Sequence, residues 1–254
     1  MAGNLSDRHA IVTGAGSGVG AAVALALADA GASVTIVGRR LASLEEVARG
    51  HARISPVASD VTDPDGLRRA IAAAVARAGP VAIVIANAGG AESAPFSRTT
   101  AEMFRASLEV NLTGVFNTFQ AGLANMARGV PGRLIAIAST AALKGYPYVS
   151  AYCAAKHGVV GLVRSLALEL AATGTTVNAI CPGYTETPML ERTLDNIVAK
   201  TGRSRAEAEA MLKAGNPQNR FIKPQEIAET VAWLCSDAAA SVTGQAISIS
   251  GGET

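Results

Sequence analysis

The sequence predicts an α/β fold in which one doubly wound parallel sheet of about seven strands carries helices on both faces. Short apolar runs alternate with Ala- and Leu-rich segments along nearly the whole chain, as in repeated strand–helix units. Most runs are continuously apolar, which is typical of parallel strands covered on both sides. A length of 254 residues and a hydrophobic content of 49% suit one substantial core, so we expect a single domain over 1–254.

The individual elements follow from this alternation. The predicted strands are 9–14, 33–38, 53–59, 81–86, 133–139, 176–181 and 245–250. The predicted helices between them are 18–30, 41–49, 64–78, 99–127, 151–172 and 224–236. Glycines stand where a left-handed residue would end four of these helices, at Gly31, Gly50, Gly79 and Gly174.

A longer stretch without a strand, 182–223, follows the sixth strand. Its polar part, at about 186–217, predicts one or two helices. Insertions at the carboxyl ends of parallel strands often cover the ligand site, so we expect a helical substrate lid here. The basic residues of this segment either meet an anionic part of a substrate or form a solvated helix face; they are Lys200, Arg203, Arg205 and Lys213.

Composition and charge argue against several classes of protein. The net charge is +2, from 22 basic and 20 acidic residues without a basic block, so we expect no nucleic-acid partner. No apolar run reaches the roughly 18 residues that span a bilayer, and the start of the chain lacks a signal-peptide pattern, so we expect a cytoplasmic protein without membrane association.

Cysteine and histidine usage adds two further expectations. Cys153, Cys181 and Cys235 are widely separated in apolar surroundings, which predicts reduced thiols in the core. The three His residues show no metal-ligand spacing and no Cys/His cluster exists, so no metal is expected.

A glycine-rich turn, "VTGAGSGVG" at 12–20, joins the first strand to the first helix. Glycines at 14, 16, 18 and 20 permit left-handed backbone angles and leave no Cβ between the backbone and a ligand. The free N–H groups and positive dipole end of the helix that starts near Ser17 or Gly18 suit a pyrophosphate. No Lys follows the glycines, so the turn is not a nucleoside-triphosphate loop. A tight turn that binds nothing remains the alternative.

The end of the second strand bears on the choice between the two nicotinamide cofactors. An acidic residue there would bind the adenine ribose hydroxyls, whereas a basic residue would accept a 2′-phosphate. The strand ends at Gly38 and Arg39 follows, which favours NADP(H), with NAD(H) as the alternative. Arg39 and Arg40 could equally begin a solvated helix face.

Tyr152 and Lys156 lie four residues apart in the small, apolar segment "SAYCAAKHGVVGLV". On a helix, positions i and i+4 share one face, so both side chains can address one ligand. A free phenol has a pKa of about 10, and a nearby ammonium stabilises the phenolate and lowers that pKa. The pair therefore predicts a general acid/base for interconverting a carbonyl and an alcohol.

Ser139 and Asn111 are the other candidate catalytic residues. Ser139 ends the fifth strand, at the sheet edge where α/β folds place their chemistry, and its hydroxyl could hold a substrate oxygen. Asn111 stands with Gly114 inside an apolar helical run, where both lower helix propensity. A buried Asn that loosens its helix could free a carbonyl to hold water near Lys156. The alternative for Asn111 is an exposed polar helix face, and the alternative for Ser139 is a hydroxyl that only caps a turn.

At these residues the sequence resembles the short-chain dehydrogenase/reductase family, whose members share the Rossmann-type fold, over nearly the whole chain. The family's glycine turn matches Thr13, Gly14, Gly18 and Gly20, and its Asn-Ala-Gly motif matches 87–89. Its Pro-Gly segment after the sixth strand matches "CPGYTETPM". Two positions depart from the pattern: Ala86 replaces a usual second Asn, and Ser17 replaces a basic residue that is frequent in NADP-dependent members.

The resemblance implies an NAD(P)-dependent enzyme and its site residues. The implied catalytic residues are Asn111, Ser139, Tyr152 and Lys156. The implied cofactor-binding residues are Gly14, Ser17, Gly18, Val19, Gly20, Arg39, Asp60, Val61, Asn87, Ala88, Gly89, Tyr152, Lys156, Pro182, Gly183, Thr185 and Thr187.

In the implied reaction, hydride transfer interconverts a ketone and a secondary alcohol. Tyr152 would exchange a proton with the substrate oxygen, Ser139 would orient that oxygen, and Lys156 would bind the nicotinamide ribose and lower the pKa of Tyr152. Asn111 would hold a relay water. The Pro-Gly segment and the tail at 220–252 look most like 3-oxoacyl-thioester reductases and polyketide ketoreductases, which implies a small carbonyl substrate, such as a CoA or acyl-carrier thioester.

The family also implies a homotetramer, built through the helices at about 99–127 and 151–172. Two other functions remain open from the residues alone. A dinucleotide-sensing or scaffold protein of the same fold would not need the Asn, Ser, Tyr and Lys set. A serine hydrolase would need a Gly-x-Ser-x-Gly elbow, which "IAIASTA" around Ser139 is not.

Overall fold

The computed structural model describes residues 5–127 and 129–254, and its centre is one parallel sheet. The strands are β1 (His9–Thr13), β2 (Ser33–Gly38), β3 (Ile54–Ala58), β4 (Val81–Ala86), β5 (Arg133–Ile137), β6 (Thr176–Pro182) and β7 (Ala246–Ile249). Their order is β3-β2-β1-β4-β5-β6-β7, and each neighbouring pair is parallel. The predicted doubly wound α/β fold is confirmed, with the winding reversing between β1 and β4.

Helices cover both faces of the sheet. They are α1 (Gly18–Asp29), α2 (Leu41–Ala48), α3 (Pro64–Ala78), α4 (Ala101–Leu108), α5 (Gly114–Leu123), α6 (Ser150–Leu170), α7 (Pro188–Thr201), α8 (Arg205–Lys213) and α9 (Pro224–Cys235). The four glycines expected to end helices all have positive φ, between 73° and 101°. No helix within the described residues has the length and apolar character that a membrane crossing requires.

Two hydrophobic clusters sandwich the sheet. In β1, Ala10 and Val12 belong to the cluster that contacts α1 and α9, whereas Ile11 belongs to the cluster beneath α3, α5 and α6. Successive side chains of a strand point to opposite faces, so a strand buried on both faces must be apolar at every position. Cys181 and Cys235 are buried free thiols in these clusters, and Cys153 is a half-buried free thiol.

The helix predicted over 99–127 is interrupted. Between α4 and α5, Glu109–Thr113 form a π-helical turn, in which the Gly114 N–H donates to the carbonyl of Glu109. A Cβ on Gly114 would lie only 2.7 Å from Val61 Cγ2, so the glycine allows α5 to approach the end of β3. The single-helix prediction was wrong here because side-chain and packing contacts around Asn111 and Gly114 outweigh continuous α-helical bonding.

The inserted segment after β6 forms two helices, α7 and α8, and has a small apolar cluster of its own. Leu190 and Leu194 of α7 pack with Ala208 and Leu212 of α8 and with Phe221. Thr187 caps α7, accepting from the Leu190 N–H at 3.4 Å, and Ser204 and Glu207 form a capping box at α8. The segment is therefore a packed helical pair, held at the carboxyl edge of the sheet by the exit of β6.

Candidate active site

The glycine turn presents unsatisfied backbone N–H groups at the carboxyl end of β1. Helix α1 begins at Gly18, and Ser17 precedes it without a side-chain cap. The first turn of α1 has no acidic residue, so its N–H groups and dipole are available to an anion. Ser17 is exposed, and Gly18 and Val19 are half-buried, which leaves this helix end open to solvent.

Asn87 braces the turn from the end of β4. Its side-chain amide donates to the carbonyls of Thr13 and Gly14 at 3.0 and 3.1 Å. The Thr13 hydroxyl oxygen in return accepts the backbone N–H groups of Asn87 and Ala88 at 3.1 and 3.3 Å. A Cβ on Gly20 would lie 2.4 Å from Asn87 Nδ2, so only glycine fits there. Asn87 therefore shapes the cradle, and Thr13 is a bracing residue that the sequence reasoning left out of the site.

The crevice continues past the ends of β2 and β3. Arg39 is exposed, and its side chain makes no hydrogen bond or ion pair with any residue in 5–127 or 129–254. After β3, the Asp60 carboxylate accepts from the backbone N–H and hydroxyl of Thr62 at 3.0 and 2.9 Å. Val61 is buried, and its carbonyl accepts from Asn117 at 2.8 Å. A free guanidinium and a fixed carboxylate thus flank the same edge of the sheet.

Three of the candidate catalytic side chains meet at the carboxyl edge of β5. Tyr152 and Lys156 lie on one face of α6, and the Lys156 Nζ atom is 5.7 Å from the centroid of the Tyr152 ring. Lys156 is buried and donates to the carbonyl of Ile137 at 2.8 Å. Ser139 follows β5 and shares a hydrogen bond with the Tyr152 phenol, which by itself lowers the pKa of that phenol.

Burial dominates the acidity of both titratable groups. Desolvation raises the pKa of Tyr152 to about 12, against the smaller lowering effect of the Ser139 hydrogen bond. Desolvation also lowers the pKa of Lys156 to about 8. The expectation that Lys156 lowers the pKa of Tyr152 is not met in the chain by itself. Lys156 is itself desolvated and directs a donor to the Ile137 carbonyl, so the burial of the phenol prevails.

Asn111 joins this group through the π-helical turn. It is 1% exposed, and its amide donates to the carbonyls of Gly90 and Ser107 at 2.8 and 3.0 Å. Its Oδ1 accepts the Gly90 N–H at 3.0 Å. A Cβ on Gly89 would lie 2.7 Å from Asn111 Oδ1 and 3.7 Å from Lys156 Nζ, so Gly89 lies between these two side chains. The expected buried, helix-loosening Asn is found, and the exposed-face alternative is excluded.

The segment after β6 closes over the glycine turn. The Thr185 hydroxyl donates to the Gly183 carbonyl at 2.9 Å, and the Thr187 hydroxyl donates to the Thr185 carbonyl at 3.1 Å. A Cβ on Gly18 would lie 3.0 Å from Thr187 Cγ2. Pro182 ends β6 within the sheet, so this segment runs from the sheet edge, past the Tyr152 side of the crevice, to the start of α1.

Only some of the basic residues of the inserted segment are free to contact an anionic substrate. Arg205 contacts the carboxylates of Glu191, Asp195 and Glu209. Lys213 pairs with Glu209 at 3.0 Å. Arg205 links α8 to α7, and the Lys213 pair lies within α8, which favours the structural interpretation over contact with an anionic substrate. Lys200 and Arg203 are exposed, and neither forms an ion pair in the part of the chain that the structure describes.

Two tyrosines beside the catalytic group lie in ranges expected to line the substrate pocket, 140–148 and 184–215, but were not among the individually predicted site residues. Tyr146, in the loop between Ser139 and α6, packs edge-to-face on Tyr184, with ring centroids 6.4 Å apart. Tyr184 directly follows the Pro-Gly pair and, after the larger effect of burial, makes a small contribution to the raised pKa of Tyr152. Its place inside "CPGYTETPM" was the available signal. Tyr146 belongs to no motif, and only the folded loop places it here.

The crevice fits a dinucleotide by its shape and its donors. Gly14, Gly20 and Gly89 each stand where a Cβ would lie less than 3.0 Å from another group, so the chain segments around the crevice pack too closely at these positions for a side chain. The open start of α1 suits a pyrophosphate, and the buried Lys156 and the adjacent Ser139 and Tyr152 provide polar groups at the other end. No three His, Cys, Asp or Glu side chains gather as metal ligands within the described ranges.

Comparison with known proteins identifies similar chains. The family model for short chain dehydrogenases matches residues 8–197. A putative ketoacyl reductase of the granaticin polyketide synthase from Streptomyces violaceoruber is 39% identical over 251 residues, covering 96% of this chain and 92% of the relative. The 3-oxoacyl-[acyl-carrier-protein] reductase FabG of Thermotoga maritima is 35% identical, covering 98% of both chains. A crystal structure of an actinorhodin polyketide ketoreductase variant with NADPH superposes with a TM-score of 0.90 at 37% identity, covering 100% of this chain and 99% of that one.

Proposed function

Because the chain belongs to the short-chain dehydrogenase/reductase family, we propose that it is an NADP(H)-preferring reductase of 3-oxoacyl thioesters or related ketones. The family and the reductase relatives make it an NAD(P)-dependent oxidoreductase that interconverts ketones and secondary alcohols. The observation that carries the proposal is the meeting of Ser139, Tyr152 and Lys156 at the open end of a crevice lined by glycine backbone.

In the proposed binding mode, each part of the crevice holds one part of the dinucleotide. The glycine turn, with Gly14, Ser17, Gly18, Val19 and Gly20, would bind the pyrophosphate through backbone N–H groups. The remaining positions are Arg39, Asp60 and Val61 at the adenosine end, Asn87, Ala88 and Gly89 along the middle, and Lys156 with Pro182, Gly183, Thr185 and Thr187 at the nicotinamide end. When bound, the nicotinamide supplies or accepts the hydride.

The chain's own groups would handle the proton. Burial raises the pKa of Tyr152 to about 12, so the phenol is protonated at neutral pH and can donate to a carbonyl oxygen during reduction. The Ser139 hydroxyl would hold the same oxygen beside Tyr152. Lys156 would bind the ribose and share its positive charge with the phenolate that forms. Asn111 would connect Lys156 to solvent through a water at the π-helical turn.

Two features support NADP(H) over NAD(H). Arg39 is an exposed guanidinium without a partner among the described residues, at the end of β2 where a 2′-phosphate would lie. Gly38 occupies the position at which an acidic residue would favour the free ribose and repel a phosphate. The NADPH in the polyketide ketoreductase structure is consistent with this preference.

The substrate class rests on the relatives and on the shape of the site. The relatives are named as a putative ketoacyl reductase of a polyketide synthase and a 3-oxoacyl-[acyl-carrier-protein] reductase. In this chain, α7 begins directly after Thr187, which lies against Gly18 of the glycine turn, and α8 packs on α7, so we propose that the segment at about 186–217 is a substrate lid on a single domain, 1–254. A silent sensor of this fold finds no support, because the full polar set is present and converges.

One experiment tests this proposal as a whole. The purified protein is assayed with a panel of 3-oxoacyl thioesters and simple ketones, each with NADPH and with NADH. We expect the highest kcat/KM for a 3-oxoacyl thioester with NADPH. Turnover of none of these carbonyl compounds contradicts the proposed function, and a strong preference for NADH contradicts only the cofactor assignment.

We further propose that the chain assembles as a homotetramer through α4, α5 and α6. Phe116 on α5 and Leu168 on α6 are large apolar side chains exposed by 45% and 83%, and an interface built from these helices would bury them. The surface of α6 at Gly161 has nothing packed against it, since a Cβ there would meet no atom within 4 Å. The oligomeric mass from light scattering tests the assignment, and a monomer at micromolar concentration contradicts it.

A further inference from the structure

The last turn of the chain brings a buried carboxylate to the active site. Gly251 and Gly252 have φ of 66° and 97°, and after them Glu253 turns back into the molecule. The Glu253 side chain is only 4% exposed. Burying a carboxylate this deeply costs free energy unless its charge is paired and its oxygens accept hydrogen bonds. The partners of Glu253 therefore indicate its role.

Both partners of Glu253 lie in the loop at 140–148, which joins Ser139 to α6. We call it the substrate loop because it follows Ser139, whose proposed role is to hold the substrate oxygen. The Tyr146 hydroxyl donates to Glu253 Oε1 at 2.6 Å. The Lys144 ammonium lies 3.0 Å from the same oxygen. Because Tyr146 has only one proton to give, the Thr140 hydroxyl, at 2.7 Å, must donate to it. The polar chain therefore reaches the residue next to Ser139.

The other surroundings of Glu253 belong to the remaining walls of the site. A Cβ on Gly183, after β6, would lie 3.3 Å from Oε2, and one on Gly215, beyond α8, would lie 3.1 Å from Oε1. Asn216 shapes the same corner, since a Cβ on Gly251 would clash with its amide at 2.0 Å. Glu253 thus lies where the substrate loop, the exit of β6 and the end of the inserted helices converge.

Two tyrosines connect this corner to the catalytic phenol. Tyr146 packs edge-to-face on Tyr184, with an interplanar angle of 80°. Burial, and to a smaller extent the charge of Glu253, raise the pKa of Tyr184, and Tyr184 in turn makes a small contribution to the raised pKa of Tyr152. Burial and the bond to Glu253 raise the pKa of Tyr146, so Tyr146 remains a neutral donor. The corner therefore contains one negative charge, on Glu253, and one positive charge, on Lys144.

The charge of Lys144 determines how this corner acts on a substrate. The Lys144 side chain is 39% exposed, and its ammonium lies 3.0 Å from Glu253 Oε1 and 5.0 Å from the centroid of the Tyr146 ring. Paired with Glu253, it presents little net charge to a substrate. Without Glu253, the same ammonium would attract an anionic group, because a charge at a partly desolvated wall is screened less than in bulk water.

We propose that Glu253 is a specificity and positioning residue: it neutralises Lys144 and holds Tyr146, so that the site favours uncharged ketone esters and thioesters over free keto acids. This inference rests on the proposed function. In the role we propose for Glu253, its side chain does not touch the reacting atoms. It acts through Lys144 and the substrate loop, and its loss should change which ketone binds rather than how fast Tyr152 protonates it.

A matched pair of ketones measures this effect. Ethyl 3-oxobutanoate and 3-oxobutanoate share the reacting carbonyl and differ by a negative charge. In Glu253→Gln, which retains side-chain volume and an acceptor for Tyr146, we expect kcat/KM for the acid relative to the ester to rise about 3- to 10-fold, mainly through KM. In the double variant Glu253→Gln with Lys144→Met, the ratio should return to that of the wild type.

The controls separate this effect from a loss of stability. Asp65→Asn removes an exposed carboxylate that is paired with Arg68 on α3, and its ratio should equal that of the wild type. An unchanged ratio in Glu253→Gln, or a rise that persists when Lys144 is also replaced, overturns the inference. An equal loss of kcat/KM for both ketones also overturns it, because that result indicates only a structural role.

Binding provides a readout that does not depend on turnover. Isothermal titration of Tyr152→Phe, with and without Glu253→Gln and with saturating cofactor, measures Kd for both ketones. We expect the acid to gain affinity relative to the ester when Glu253 is replaced, and no gain overturns the inference. A wild-type protein that binds both compounds but reduces neither would instead contradict the proposed function, so the two failures are distinguishable.

Discussion

The side chain of Asn111 and the backbone of Gly90 form two hydrogen bonds with each other. Asn111 Nδ2 donates to the Gly90 carbonyl at 2.8 Å, and Asn111 Oδ1 accepts the Gly90 N–H at 3.0 Å. This reciprocal pair fastens the π-helical turn between α4 and α5 to the loop after β4. It holds the glycine backbone at 89 and 90 beside Lys156, and thus one wall of the crevice.

Replacing Asn111 by Ala should therefore both destabilise the fold and loosen the crevice. The change removes both hydrogen bonds to the half-buried backbone of Gly90, each of which contributes about 0.5–1.5 kcal/mol to the unfolding free energy. Urea unfolding measures this loss. Asn125→Ala is the control, because Asn125, two residues beyond α5, donates its side-chain amide to the Ala121 carbonyl of that helix, and loss of this single local bond should cost much less. Equal losses in the two variants contradict the assigned role of the Asn111–Gly90 pair.

Replacing Tyr152 by Phe should abolish proton donation and leave the crevice intact. Removal of a positioned general acid lowers turnover by roughly 10²- to 10⁴-fold. The ring remains, so packing on α6 and cofactor affinity should change little. Steady-state turnover and fluorescence titration with NADPH measure the two quantities. Turnover within a few fold of the wild type would exclude Tyr152 as the proton donor.

Replacing Arg39 by Ala should weaken NADPH binding and leave NADH binding nearly unchanged. A charge-assisted contact with a phosphate contributes about 1.5–3 kcal/mol, which corresponds to roughly a 10- to 150-fold change in Kd for NADPH. Arg40→Ala is a matched control, since Arg40 is the next residue along and is also exposed. If Arg40→Ala has the larger effect, or if neither changes the NADPH Kd, the 2′-phosphate is not bound by Arg39.

The buried Lys156 should make stability depend on pH. Desolvation lowers its pKa from 10.5 to about 8, so between these values the unfolded chain binds more protons than the folded chain. Unfolding free energy contributed by this group therefore rises with pH from about 8 towards 10. We expect the stability of the wild type relative to Lys156→Met to increase over this range. Chemical unfolding at several pH values measures it, and a constant difference contradicts the burial of a titrating Lys156.

The sequence alone was sufficient for the fold and for the identity of the polar set. Strands buried on both faces must be continuously apolar, and a left-handed glycine often follows the end of a helix, so the alternation and the positions of Gly31 and Gly174 are local signals. Ser139, Tyr152 and Lys156 were found in the same way, because the end of a strand and an i, i+4 spacing are readable without tertiary structure.

Other features depended on tertiary packing. The π-helical turn arises where Asn111 bonds to Gly90 and Gly114 approaches Val61, contacts between segments far apart in the chain. Desolvation dominates the pKa of Tyr152, and residue spacing does not reveal desolvation. The pKa is raised, whereas the sequence predicted that it would be lowered. Glu253 is separated from Tyr146 by more than a hundred residues, and only the closing of the sheet brings the two together. Local patterns determined which groups are present, whereas burial and long-range contact decided their charge, partners and roles.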